Sequence, residues 1–314
     1  MDSLSDYFPA AVCCVIDFTI LRCGKMILHH KGVFFMPNYT TSFSNDRIIT
    51  RKNACRYIHT NTLIPSYVRG IASEAFQSKS MIKTIQFPAE LSHIGARAFR
   101  NCNGLTDLRL PNQMREIGSG AFADCSSMRR VTLPASISEL PKDLFSENTK
   151  LKSVEFHGQD QLHTIRKNAF FRCQSLTSLV LPESVTTIDD RAFYRCKSLD
   201  HISLPGGGVK EIGSEAFYFC GIHSLELPDS LEVLDQSAFF KCNNLEYVRL
   251  PQNVRYIGKW VFHGCNRLKV LEIRHDPEFV GDWIINRSAA IRCYRGSKMD
   301  RYCQNNGFNV EYLD

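Results

Sequence analysis

A block of 23 residues recurs from Pro65 to Arg274, and it constrains the fold before any single side chain is weighed. Its mark is an apolar residue followed by Pro, then Ala-Phe some ten residues on, then Cys three residues after the Phe. The prolines fall at Pro65, Pro88, Pro111, Pro134, Pro182, Pro205, Pro228 and Pro251, and His157 and Arg274 stand in the equivalent places where Pro is absent. A unit this short has too little apolar surface to close a core alone, so it becomes stable only by stacking on its neighbours. The period therefore predicts one elongated repeat domain, where 314 residues would otherwise suggest two globular ones.

The unit Leu176–Leu199, LTSLVLPESVTTIDDRAFYRCKSL, shows the physics. Leu179 and Leu181 alternate with Ser178 and Val180, which predicts a short strand with one apolar side. Pro182 ends it, because proline has no N–H to offer a parallel ladder. Val185 and Ile188 follow at a spacing of three, and DDRAFYRC reads as a single helical turn that faces Ala192, Phe193 and Cys196 inward. Leu199 then opens the next strand. Two units depart from this register. The stretch Gly158, Gln159 and Asp160 is inserted after His157, and Gly206-Gly207-Gly208 adds a residue that is lost again between Cys220 and Ile222. The glycine run is no phosphate loop, since neither a following Lys-Ser or Lys-Thr nor a long helix accompanies it.

The thirteen cysteines are informative by place more than by number. Cys102, Cys125, Cys173, Cys196, Cys220, Cys242 and Cys265 each lie three residues after a repeat Phe, with Lys79 and Asn148 in the two remaining slots. Stacked equivalents would project in one direction with Cβ atoms about 4.8 Å apart, whereas a disulfide needs about 3.8 Å and facing vectors. Buried free thiols acting as small hydrophobes are expected. The nine phenylalanines from Phe76 to Phe262 are expected to form a column that dominates the core.

Segments such as LPNQMREIGSGAFADCSSM (110–128) and LPESVTTIDDRAFYRCKSL (181–199) closely resemble BspA-type leucine-rich repeats, over residues 58–274 in about nine units. The resemblance implies an α/β repeat solenoid, a leucine-rich repeat horseshoe with a parallel sheet on its concave face and short helical or irregular turns on its convex side. It also implies caps at both ends: a β-rich piece over residues 1–57, and a strand-helix-strand piece over 275–314 in which Ser297 starts the helix and Gly307 ends it. Similar proteins are often surface-exposed or secreted by bacteria and some protists, and several are adhesins, so adhesion at a cell surface is what the likeness implies about function.

Chemistry is hard to find. His29-His30 would point to opposite faces of a strand, and Cys13, Cys14, Cys23 and Cys55 match neither a zinc site nor a redox pair. No carboxylate pair, metal motif or cofactor motif stands out, so no enzyme activity, no metal and no cofactor is expected. The net charge of +6 is dispersed among acidic residues, which argues against a nucleic-acid footprint. The apolar stretch Ala10–Leu21 is interrupted by Asp17 and is too short for a membrane span, and it fits a signal peptide poorly. That favours a cytoplasmic location, whereas the family resemblance implies the cell surface or secretion, and both stay open at this point.

The strand positions that packing does not use are candidates for binding. One column reads Thr84, Asp107, Arg130, Ser153, Ser178, His201, Ser224, Tyr247, Val270, and the next reads Gln86, Arg109, Thr132, Glu155, Val180, Ser203, Glu226, Arg249, Glu272. Arg109, Arg129 and Arg130 form a basic group in the first half, and His201, His223, Glu226, Tyr247 and Arg249 offer polar and aromatic groups in the second. Arg and Tyr are frequent binding anchors. The expected function is a monomeric, non-enzymatic protein that binds a protein or extended peptide, a host or cell-surface component included. An intracellular scaffold is the alternative, and an enzyme with an unrecognised site is a third.

Overall fold

The repeats begin with the expected strand except at Ser224–Leu227, where none forms, and the strands lie parallel and in register in successive segments of a first ladder. Asp107–Arg109 pairs with Arg130–Pro134, which pairs with Ser153–His157. The side chains between the polar columns are buried: Leu108, Val131, Leu179, Ile202, Val248 and Leu271 all face the core. The period-2 alternation of a strand thus separates a packing side from a solvent side. The structure is a computed structural model that describes residues 47–158 and 161–314. The expected N-terminal β-rich piece, with Cys13, Cys14, Cys23, His29 and His30, lies almost wholly outside the described residues, as do Gln159 and Asp160 of the inserted loop.

A second parallel ladder, which the apolar spacing did not reveal, runs through two-residue strands such as His93–Ile94 and Thr187–Ile188. It has four strands from Ile48–Ile49 to Glu116–Ile117 and seven from Glu139–Leu140 to Phe279–Val280. The spacing of three between Val185 and Ile188 reflects a proline-led turn followed by this short strand, with both side chains fully buried. Gly follows Ile in four repeats, at Gly95, Gly118, Gly213 and Gly258, and Gly118 shows the reason: a Cβ there would sit 2.2 Å from the Ala96 nitrogen of the preceding repeat. Gly208 is likewise confined, since its Cβ would lie 2.6 Å from the carbonyl oxygens of Glu183 and Val185.

The third side of each repeat is not the helical turn that DDRAFYRC predicted. Arg191 and Arg195 adopt φ values of +55° and +58°, which a right-handed helix cannot accommodate. The backbone instead alternates its partners. The N–H groups of Arg191, Phe193 and Arg195 donate to the carbonyls of Ser214, Ala216 and Tyr218 in the next repeat, at 2.9, 2.8 and 2.8 Å. Those of Ala192, Tyr194 and Cys196 close turns onto the carbonyls three residues back. Every backbone N–H from Arg191 to Cys196 is satisfied, half of them by the neighbouring repeat. Left-handed residues recur two before and two after each of the nine phenylalanines, and side chains replace a main-chain partner in places, as where the Gly264 N–H donates to Asn286 Oδ1 at 2.8 Å. Sixteen of those eighteen positions are not glycine, although a left-handed L-residue costs about 1–2 kcal/mol. The axial hydrogen bonds and the packing of Phe beneath them offset that strain.

The phenylalanines stack face to face from Phe76 to Phe262, with ring centroids 5.0–6.1 Å apart and planes within 23° of parallel. All nine are fully buried. Beside them runs the thiol ladder, in which each Cys S–H donates to the carbonyl oxygen of the Phe one repeat earlier, Cys102 to Phe76 at 3.1 Å and Cys196 to Phe170 at 3.2 Å. The thiols are therefore hydrogen-bond donors as well as small apolar fillers. Asn148 confirms the role by substituting for it. Its amide donates to the Phe122 carbonyl at 3.0 Å and accepts from the Cys125 N–H at 2.7 Å, inside an otherwise apolar core. Burial pushes the Cys102 thiol from its ordinary 9.0 to about 11 and that of Cys265 to about 12.

Strands continue beyond the 23-residue marks. Val270–Ile273 pairs with Ala290–Tyr294, which pairs in turn with Asn309–Leu313, again in parallel. Between the last two lies the helix Lys298–Asn306. The Ser297 side chain accepts from the Asp300 N–H at its start, and Gly307 takes a left-handed conformation at its end.

Four measurements test this account. Phe193→Ala is expected to cost about 3–5 kcal/mol in urea unfolding, because it empties one step of a continuous stack. At the left-handed Arg97, glycine is expected to hold or raise stability by up to about 1 kcal/mol and valine to lower it by about 1–2 kcal/mol. Among the ten described cysteines, native alkylation mapped by peptide mass spectrometry is expected to mark Cys55, the exposed one, ahead of all the others. Because folding raises the thiol pKa, the ladder's stabilisation is complete below about 9 and is lost as pH climbs towards 11 and 12. The urea midpoint should fall over that range.

Candidate binding face

Along the solvent side of the first ladder the two polar columns stand as the strand spacing requires. Thr84 neighbours Asn61, Arg130 lies between Asp107 and Ser153, and Tyr247 is level with Val270. Arg109 is exposed beside Thr132 and has no ion pair among the described residues. Arg130 is different. Its Nε lies 2.7 Å from Asp107 Oδ1, so its charge is already answered by the preceding repeat. Burial tends to raise the Asp107 carboxyl, but hydrogen bonds from Arg130 and Thr106 and the charges of Arg130 and Arg129 together outweigh it and hold the group below its ordinary value. At 72% and 44% exposure this pair contributes little to stability. Arg129 precedes the strand, and its N–H donates to the Thr106 carbonyl. The basic group expected from Arg109, Arg129 and Arg130 is thus moderated by Asp107.

Two depressions gather the remaining candidates. One, of about 400 Å³, is bounded by Thr84, Asp107, Arg109, Arg130, Thr132 and Glu155. The other, of about 860 Å³, brings together His223, Glu226, Tyr247 and Arg249 with Leu225, Asp229, Glu246 and Leu250. His201 belongs to neither; it sits exposed on the strand His201–Ser203 beside Ser178.

Sequence reasoning missed the group that orders the second region. Glu272 was placed in a solvent-facing column, yet its side chain is only 3% exposed. It accepts from the Tyr247 hydroxyl at 2.9 Å, from Arg274 Nε at 2.5 Å and from Arg292 at 3.2 Å, and Arg249 stands 3.8 Å away. Burial would raise the carboxyl, but these donors hold it below its ordinary range. For Tyr247, burial and then the Glu272 carboxylate raise the phenol. Tyr247 remains 46% exposed, so the ring is presented to solvent while its hydroxyl is fixed. The column spacing alone marks Tyr247, Arg249 and Glu272 as neighbours; the extra arginines from flanking positions carry no periodic signal.

Among the described residues no group of three or more His, Cys, Asp or Glu side chains is arranged to hold a metal ion, and no helix is long and apolar enough to cross a membrane.

Residues 51–173 and 163–292 match the family described as the BspA type leucine rich repeat region, in six copies. Among solved structures, the chain is similar to a leucine-rich repeat protein from Eubacterium ventriosum ATCC 27560, with 27% identity over 53% of this chain and 44% of that one and a TM-score of 0.51. The chain thus spans less than half of that protein's length. It is also similar to a leucine-rich repeat protein from Bacteroides ovatus ATCC 8483, with 24% identity over 83% of this chain and 85% of that one and a TM-score of 0.45. A leucine rich cell surface protein from Faecalibacterium prausnitzii A2-165 aligns at 24% identity over 85% and 83%, with a TM-score of 0.45. A comparison with curated proteins finds no match. The repeat marks, the stacked parallel ladders and the family match over most of the chain agree: this protein belongs to the BspA-type leucine-rich repeat family.

Proposed function

We propose that the protein is a non-enzymatic binding protein that recognises another protein, or an extended peptide, through the polar columns of its first ladder. The observation that carries this reading is the division of labour along each strand. The alternate residues Leu108, Val131, Ile202 and Val248 hold the core, while Arg109, Arg130, His201 and Tyr247 meet solvent and are not needed for packing. Membership of a leucine-rich repeat family supports a protein-interaction role. An adhesin-like function towards a host or cell-surface component is the finer form of this reading. It rests on the family likeness alone.

A second reading, an intracellular scaffold, is favoured by one observation: Cys293 and Cys303, which lie outside the ladder and within side-chain contact of each other, are both free thiols, as in a reducing compartment. Fractionating cells that make the protein separates the two. Recovery with the envelope or medium supports the surface role, and recovery with the soluble cell interior supports the scaffold.

The binding face is tested by capturing partners from cell and host extracts and measuring the purified partner against Arg109→Ala, Arg130→Ala, Tyr247→Ala and Arg249→Ala. At least one substitution is expected to weaken binding about tenfold, or about 1.4 kcal/mol. Asp107→Asn serves as the control for the charge that Arg130→Ala leaves unpaired. Four unchanged affinities with the fold intact would place the site elsewhere.

A further inference from the structure

The first ladder fails at one repeat. Ser224, Leu225, Glu226 and Leu227 make no backbone hydrogen bond with any described residue, although the equivalent Arg130–Thr132 pairs with both of its neighbours. The last cross-repeat bond is from the His223 N–H to the Asp200 carbonyl at 3.2 Å. Beyond it, His201–Ser203 pairs only with Ser178–Val180, and Tyr247–Leu250 only with Val270–Ile273. Two other breaks, between Thr84–Gln86 and Asp107–Arg109 and between Ser153–His157 and Ser178–Val180, still leave every strand paired on one side. Among the described residues of this ladder, only the stretch 224–227 is paired on neither. Its repeat is the one shortened between Cys220 and Ile222, while the second ladder continues unbroken past it, from Glu211–Ile212 to Val233–Leu234 to Tyr256–Ile257. The stack is therefore intact on one side and unzipped on the other.

The unzipped stretch borders the 860 Å³ furrow, where Leu227 is part-exposed above the buried Leu225, Leu250 and Pro251. Its charge is unbalanced. Glu246 is held by Arg267 and Lys269, and Arg249 is turned towards Glu272, but Glu226 and Asp229 have no ion pair among the described residues. Free main-chain donors and acceptors beside two unanswered carboxylates suit one kind of ligand. We propose that the furrow binds an extended peptide segment carrying basic side chains, whose main chain pairs with residues 224–227 and whose cations meet Glu226 and Asp229. Strand addition of this kind draws affinity from main-chain hydrogen bonds and selectivity from alternate side chains. Apolar side chains between the cations would rest on Leu227, the part-exposed leucine of the lining. This deepens the binding reading above and rests on it, since it names a partner chemistry for one part of the same ladder.

The test uses the full chain and an end-capped, fluorescein-labelled eight-residue peptide alternating lysine and valine, read by fluorescence anisotropy. Two comparison peptides carry glutamate in place of lysine, or N-methyl groups on alternate amides. Saturable binding of the lysine peptide is expected, weakened at least tenfold by either change. Ser224→Pro, which removes one main-chain N–H, should weaken binding about tenfold where Ser224→Ala changes it less than twofold, and Glu226→Lys should weaken it for the lysine peptide alone. Equal binding of the N-methylated peptide, or no saturable binding up to about 1 mM, overturns the proposal. Should Ser224→Pro not fold, the N-methylated peptide against the unmodified chain still decides. Loss of a captured partner on Arg109→Ala together with no peptide binding would leave the ladder-face reading standing and remove the furrow from it.

Discussion

Hydrogen bonds that run from one repeat to the next are the interaction on which the rest of this structure depends. In the Phe-centred turn every second N–H leaves its own repeat for the carbonyl of the following one. This requires left-handed backbone on both sides of each Phe, in residues as unlike as Glu74, Arg195 and Trp260. A helix would have satisfied the same donors internally, with no strain, but it would have left nothing to bind the next repeat. Axial bonding, and not local preference, therefore selects the turn. Once the repeats are held about 5 Å apart, stacking of the phenylalanine rings and alignment of the thiols follow from the spacing.

The same spacing accounts for the choice of residue beside the column. A Cys three residues after Phe is small enough for a rung of the stack, and its S–H reaches the carbonyl of the Phe one repeat back. Asn148 satisfies that carbonyl with a stronger donor and also takes the Cys125 N–H, so it replaces a thiol without leaving a polar group unpaired. The widest ring separation in the column, 6.1 Å between Phe122 and Phe145, falls at this larger side chain's own repeat.

With packing confined to alternate strand residues, the opposite side of the ladder is free to vary, and it does so unevenly. Around Arg130 the charges are paired and exposed; around Glu272 one buried carboxylate collects three arginines and a tyrosine hydroxyl and so fixes how Tyr247 is presented. Between His201–Ser203 and Tyr247–Leu250 the ladder itself lapses. The binding role proposed for this side rests on its groups being spared from the core.

The period, the strand with its buried alternate residues, the column of phenylalanines, the register of the polar columns and the capped helix Lys298–Asn306 were all legible in the sequence. Each depends on spacing within a single repeat, or on identical spacing between repeats. The left-handed turn in place of a helix, the second ladder, the thiol-to-carbonyl bonds, the burial of Glu272 and the unpaired stretch 224–227 were decided by the tertiary structure. In each of these a backbone or side-chain group finds its partner, or fails to, in another repeat. A one-residue deletion before Ile222 reads as a compensated shift in sequence, and only the stacked chain shows that the second ladder absorbs it while the first does not. Local spacing determines what each repeat can be, but hydrogen bonds between repeats determine which of its permitted conformations is taken.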